Sequence, residues 1–517
     1  MRHPTRRAVL ASAAGLPALS GLSRLASAQA PRRGGTLRIS VDQAASVIHP
    51  LRTRVNPEHM IAELCYSNLT TLTTDMKPLP DLAESWSSNA DFTEWTFKLH
   101  NGVRFSDGSP CTAKDVVATY GAILDPKTAS PARSIVSVIK EAAAVDDETV
   151  LFRLHAPFVD LPATVAYNAT RIIPAAIAHG DLSRLSRESI GTGPFKLVSY
   201  EPDRLIVVAR NEHYFIPEQP YLDRIEIRVY PDPSAETSAL LSGDNDLMVI
   251  TAQSEFPRLK GVRGVDAMQV PSGQFLNVNM ACDQKPFNDP RMRRALSLCI
   301  DREALVGFVA LDAGKPGQDV PVNSIYQFYK KETPKKQDIA EAKRLLAAAG
   351  YPDGIDLTLV ASDNPGTRTQ LAVAMREMAK PAGFRITVQT MPHAAYLDQV
   401  WKKGPFYIGI YNTQQTVDGV FTLLYTSDAA WNETRWNNPA FDKLVAEGRQ
   451  TSDEAKRAEI YGKAQDMMYE ETPSIIPIFF DLLGGKRSYV QGYGLHPRGH
   501  IFRFERTWLG EGAPKRS

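Results

Sequence analysis

The chain has 517 residues, 59 Lys and Arg against 58 Asp and Glu, and a formal net charge of +1, a balance that argues against a nucleic-acid-binding role resting on a basic surface. Single hydrophobic cores stop growing at roughly 250–300 residues, so a chain of this length is expected to form at least two lobes. Beyond the N-terminus no apolar run approaches the ~20 residues needed to cross a bilayer.

The N-terminal 28 residues read as an export signal. Thr5-Arg6-Arg7-Ala8-Val9-Leu10 is similar to a twin-arginine motif, a mildly apolar region follows to about Leu22, and Arg24 precedes the A-x-A site Ala26-Ser27-Ala28. Cleavage after Ala28 removes Arg2, Arg6, Arg7 and Arg24, which leaves 55 basic residues against 58 acidic and a net charge of −3. No lipid-attachment cysteine lies near the site, so a soluble, exported mature protein is expected.

After the signal, residues 36–41 alternate as a strand and residues 58–69 are apolar at helical spacing. Residues 95–120, WTFKLHNGVRFSDGSPCTAKDVVATY, read as one unit. Trp95, Phe97 and Leu99 alternate with polar residues, as do Val103 and Phe105, which predicts a hairpin. Parity favours a three-residue loop with Gly102 in the left-handed region, because only that loop puts Val103 and Phe105 on the face of Leu99. Thr112 and Asp115 form a capping signature ahead of a helix carrying Val116, Val117, Tyr120, Ile123 and Leu124.

A strand is expected at 149–154, further strands at 195–200, 205–209 and 225–229, and a helix at 233–242 closed by Gly243. From Phe275 onward strands and helices alternate. Pro290 follows Asp289 as the first residue of a helix, a helix at 338–349 ends at Gly350, and 356–361, 367–380 and 384–390 read as a βαβ unit. The last helices cover 439–449 and 452–470. Residues 271–273 and Gly484-Gly485 are the expected crossovers between lobes, since glycine tolerates the backbone rotation of a hinge.

The 95–120 segment resembles the extracellular solute-binding proteins of family 5, the receptors of dipeptide, oligopeptide, nickel and opine ABC importers. The likeness recurs, in the family's order, at Gly35-Thr36-Leu37-Arg38, Leu82-Ala83-Glu84-Ser85-Trp86, Ile190-Gly191-Thr192-Gly193-Pro194-Phe195, Asn211-Glu212-His213-Tyr214, Gly243-Asp244-Asn245-Asp246, Phe287-Asn288-Asp289-Pro290-Arg291 and Ile300-Asp301-Arg302-Glu303-Ala304-Leu305. It implies an α/β, two-lobed periplasmic binding protein of type II (the large cluster C) with an extra subdomain on the first lobe. The boundaries read as lobe I at 29–75, 186–272 and 482–517, the extra subdomain at 76–185, and lobe II at 273–481. The subdomain is expected to have little direct role in ligand chemistry. The resemblance also implies a monomer that hands its solute to inner-membrane permease subunits with cytoplasmic ATPases, and that needs no cofactor.

For ligand binding the telling stretch is 407–421, YIGIYNTQQTVDGVF, a strand ending in a polar loop. Peptide-binding relatives carry an Asp-rich loop there, one carboxylate of which pairs with the peptide ammonium. This chain has Tyr411, Asn412, Thr413, Gln414 and Gln415, with Asp418 the only acid. A buried ammonium without a counter-charge is costly, so a polyol, sugar, opine or amide-rich ligand suits this stretch better than a zwitterionic dipeptide held in the usual way. Tyr411 and Trp401 read either as ligand contacts or as packing at the sheet edge. In the loop at 43–49, Ala45, Ser46 and His49 are placed where ligands sit beyond strand ends, and His49 reads equally as a structural residue. Asn277 and Asn279 share a face of the crossover strand and are placed either to reach the ligand or to tie down the hinge.

Other constellations read as structural. Ser137-Val138-Ile139-Lys140, Ser362-Asp363-Asn364 and Lys402-Lys403-Gly404 imitate penicillin-recognising acyl enzymes, but Ser137 leads into a loop and strand, not a helix. The pair in His496-Pro497-Arg498-Gly499-His500 reads as a solvated terminal loop, the Gly191-Thr192-Gly193 turn as packing, and Cys65, Cys111 and Cys299 as free core thiols. A ligand sensor without transport and a serine acyl-transfer hydrolase are the alternatives to a carrier.

Overall fold

The computed structural model describes residues 30–516, so the export signal lies outside the described residues. One mixed sheet of eleven strands runs through the molecule, and two long antiparallel strands, Val265–Met280 and Ser474–Arg487, form its spine. On one side the spine continues through Leu247–Met248, Thr36–Val41, Arg224–Val229, Leu205–Arg210 and Phe195–Glu201. On the other side Phe406–Tyr411 pairs with the first spine strand and leads to the parallel strands Ile355–Ser362 and Phe384–Met391 around the helix Thr367–Ala379.

Separate cores back the two halves. One gathers Leu37, Ile39, Leu64, Phe195 and Ile227 with Phe502 and Phe504 of the C-terminal segment. The other gathers Leu276, Leu296, Leu359, Leu371, Phe384 and Ile478. Between them the spine is broken by a bulge: Pro271 faces Asp481 and Gln274 faces Phe480, so Ser272 and Gly273 have no partner across the ladder. Ser272 Oγ donates to the Phe480 carbonyl at 2.6 Å, and the Gly273 amide donates to Thr413 Oγ1 at 2.9 Å. Gly484 and Gly485 lie in regular pairing with Met268 and Ala267.

Beside the first core a four-stranded sheet orders Ala83–Ser88, Glu94–Leu99, Thr149–Leu154 and Ile139–Ala144, covered by the helix Ala113–Leu124. Its second and third strands match the period-2 expectation. The hairpin does not form. Glu94–Leu99 already has a partner on each edge, so no edge remains for residues 103–105. That segment instead folds back on 109–111, with Phe105 N bonded to the Ser109 carbonyl and Cys111 N to the Val103 carbonyl, both at 2.9 Å or less. Gly102 has φ of +67°, and Leu99, Val103 and Phe105 all reach the core. The Asp115 carboxylate accepts from the Thr112 amide at 2.7 Å, as the capping signature requires.

The turn at 191–193 is a packing turn. A Cβ on Gly191 would sit 2.1 Å from the Cys65 carbonyl oxygen, and one on Gly193 would sit 2.5 Å from the Cys65 carbonyl carbon. All four cysteines are free. Among the described residues no helix is long and apolar enough to cross a membrane.

Candidate ligand-binding site

A cavity of about 1190 Å³ opens between the two cores. Its walls come from His59, Tyr167, Arg498 and His500 on one side and from Arg368, Trp401, Tyr411, Trp431 and Glu433 on the other. Contrary to expectation the extra subdomain takes part: Ser130, Arg133, Ser134 and Lys140 line the cavity. Contacts also cross between the halves. Arg457 grips Asp160 through two bonds of 2.7 and 2.5 Å, both groups nearly buried, and Thr413 Oγ1 donates to the Pro497 carbonyl at 3.0 Å.

The structure brings Trp401, Tyr411, Asn412 and Gln414 into the cavity wall, with Asn277 directly behind it. Gln415 and Asp418 line a neighbouring cavity of about 610 Å³ between the subdomain and the helix Val417–Leu424. Asp418 is committed there to Arg449, at 2.9 Å. Thr413 serves the bulge and the inter-lobe contact. Ala45, Ser46 and His49 lie outside the lining: the Ala45 carbonyl accepts from Tyr200, and His49 is buried with Nδ1 accepting from the Leu51 amide.

A carboxylate does line the cavity, but it comes from a segment that sequence reasoning passed over. Glu433 is 3% exposed. Its Oε1 accepts from Tyr411 Oη at 2.5 Å and from Trp401 Nε1, and its Oε2 accepts from Asn279 Nδ2. Asn277 Nδ2 donates to Asn279 Oδ1 at 2.7 Å, while Asn277 Oδ1 is left without a partner. Gly409 makes room for this group, since a Cβ there would lie 2.5 Å from Asn277 Oδ1 and 2.9 Å from Glu433 Oε2. Burial pushes the Glu433 carboxyl up to about 7, against the donors from Tyr411 and Trp401 and the field of Arg368. Trp431 completes a ring of aromatics above it, 5.9 Å from Trp401 and 6.1 Å from Tyr411 by ring centroids.

Arg368 is the second missed residue. It lies in the first turn of Thr367–Ala379, over the Tyr396 ring at 5.2 Å, and its Nε and Nη1 have no partner. Burial lowers its pKa. Such a guanidinium is a set of donors waiting for an anion. Arg54, Arg133, Lys140 and Arg498 also line the cavity, and Glu433 is the only carboxylate among its lining residues. The 496–500 loop, expected to be solvated, is packed: His496 and Arg498 are buried, and His496 Nε2 contacts the carbonyls of Leu72 and Thr73.

Two halves joined by a broken spine, with a polar cavity between them, define a ligand-trapping protein. Residues 77–434 match the family model described as bacterial extracellular solute-binding proteins, family 5, and the chain belongs to that family. It is therefore a substrate-binding component of an ABC importer. The glutathione-binding protein GsiB of Escherichia coli K12 is 26% identical over 472 residues, covering 89% of this chain and 92% of that relative. Among solved structures, the ABC transporter substrate-binding protein CtaP of Listeria monocytogenes superposes with a TM-score of 0.83 at 25% identity, covering 93% of this chain and all of the other. AgaA of A. tumefaciens R10, solved with agropinic acid, shares the fold with a TM-score of 0.79 at 24% identity, over 93% and 99% of the two chains.

Proposed function

We propose that this protein is a periplasmic receptor, exported by the twin-arginine route, that captures a peptide-like or opine-like solute bearing both an amine and a carboxylate and delivers it to an inner-membrane permease. No bond is made or broken. The observation that carries the reading is the pairing, in one cavity wall, of Glu433 with the buried, unpartnered Arg368. Together they offer a counter-charge for each end of an amino-acid head group, and the aromatic ring of Trp401, Tyr411 and Trp431 adds cation–π attraction for the amine.

Of the polyol, sugar, opine or amide-rich ligands drawn from the 407–421 stretch alone, this keeps the opine-like ones and readmits a zwitterion held by Glu433 and Arg368. Glutathione, for which the GsiB relative is named, carries both groups. Closure follows by population shift, because a solute touching both walls favours the form in which they meet. Calorimetry with glutathione, a zwitterionic tripeptide and a neutral oligosaccharide tests it. Binding of a zwitterion that weakens about tenfold or more in Arg368→Gln supports the reading, since a hydrogen bond to a charged group contributes about 1.5–3 kcal/mol. Binding of the neutral oligosaccharide alone overturns it.

A further inference from the structure

Six arginines are buried among the described residues: Arg171, Arg293, Arg302, Arg368, Arg457 and Arg498. Three of them meet a carboxylate, Arg171 with Glu63, Arg302 with Asp319 and Arg457 with Asp160. Arg293 is held by the carbonyls of Phe287, Glu471 and Thr472. That leaves Arg368 and Arg498, and both line the cavity between the cores.

Arg498 is 4% exposed. Its Nη1 contacts His500 Nδ1 at 2.8 Å, its Nη2 donates to Asn168 Oδ1 at 3.2 Å, and among the described residues no carboxylate pairs with it. Both acceptors are neutral, because burial and the arginine's own field hold the His500 imidazole far below its ordinary pKa. These contacts orient the guanidinium and leave its charge uncompensated, which is strongly unfavourable for an ion removed from water. Of the three buried arginines without a carboxylate, Arg293 is enclosed by backbone carbonyls, whereas Arg368 and Arg498 line one cavity, one on each wall.

We infer that Arg498 is a second anion anchor, and that the solute carries, besides the amino-acid head held at Glu433 and Arg368, a further acidic group that reaches across the cleft to the opposite wall. This rests on the head-group reading above and narrows it to a solute with two anionic groups. The second group ties the halves together, so charge on the ligand controls closure.

The test uses glutathione and its glycinamide, which keeps the γ-glutamyl head and loses only the distal carboxylate, titrated by calorimetry into the wild type and Arg498→Gln. The expected result is glutathione binding tighter than the amide by about tenfold or more in the wild type, with the gap closed in Arg498→Gln because glutathione falls to the amide's level while the amide is unchanged. Equal binding of the two by the wild type overturns the Arg498 anchor and leaves the head-group reading standing. A gap that persists in Arg498→Gln also overturns it. If neither probe binds, the two-anion inference is overturned, and the head-group reading is decided separately by the tripeptide and oligosaccharide titrations. The wild-type comparison decides even where Arg498→Gln does not fold.

Discussion

Glu433 makes a sharp prediction because its ionisation is both costly to the fold and needed by the proposed site. In the folded chain the carboxyl holds its proton up to about pH 7, whereas an unperturbed glutamate releases it near 4.5. Between those values the native state binds more protons than the unfolded one, so stability falls as pH rises, and above about pH 7 the whole loss is present. A shift of that size corresponds to about 3 kcal/mol at 1.36 kcal/mol per unit. Glu433→Gln removes the titration. The introduced amide can also keep the chain of bonds: with the Asn279 and Asn277 amides reversed, it donates to Asn279 Oδ1 and Asn279 Nδ2 donates to Asn277 Oδ1, Asn277 Nδ2 then taking the place without a partner.

The variant should therefore be more stable than the wild type by about 3 kcal/mol at pH 8 and within about 1 kcal/mol of it at pH 5. Urea unfolding at the two pH values measures the difference, and the other titrating groups cancel because both chains share them. The same substitution should weaken an amine-bearing ligand by about tenfold or more. A stability difference that is equal at both pH values, or a variant less stable than the wild type at pH 8, would refute the argument.

Other consequences follow from contacts already described. Asp160→Asn leaves Arg457 buried without its partner across the halves, so the closed form should lose a few kcal/mol; scattering should show an expanded particle and calorimetry a weaker ligand. Gly409→Ala forces a methyl group against Asn277 and Glu433. It should cost about 1–3 kcal/mol in unfolding free energy and abolish ligand binding, an outcome read from the same urea and calorimetry experiments. Thiol titration without reductant should count four groups in denaturant, and in the native protein little beyond the half-buried Cys282, since Cys65, Cys111 and Cys299 are enclosed.

The parts of this molecule legible in the sequence are those whose cause is local. Helix caps at Thr112, Asp289 and Asp338 and the strand alternation at 149–154 need only neighbouring residues. The failed hairpin at 95–105 marks the limit. Its alternation and its left-handed Gly102 are real, but pairing depends on which edges are free, and strands 83–88 and 149–154 had taken both. The site is less legible still, because Arg368, Glu433 and Arg498 come from segments far apart in the chain and each is alone in its own.

Even so, one signal was present. A cation in the first turn of a helix opposes the macrodipole, and Arg368 occupies that position at the start of Thr367–Ala379. Arg498 stands in a His-Pro-Arg-Gly-His run that looks solvated only while the strand and subdomain packing over it are unknown. Glu433 gives no cue at all, since its surroundings of Trp401, Tyr411 and Asn279 are assembled by the spine strand and its neighbour. All three lie where local preference and global stability disagree: a cation against a dipole, a guanidinium without an anion, a carboxyl held above its ordinary range. Folds tend to keep such costs at functional sites, which is why the unpaired charges, more than the polar loop at 412–415, carry the proposed solute site.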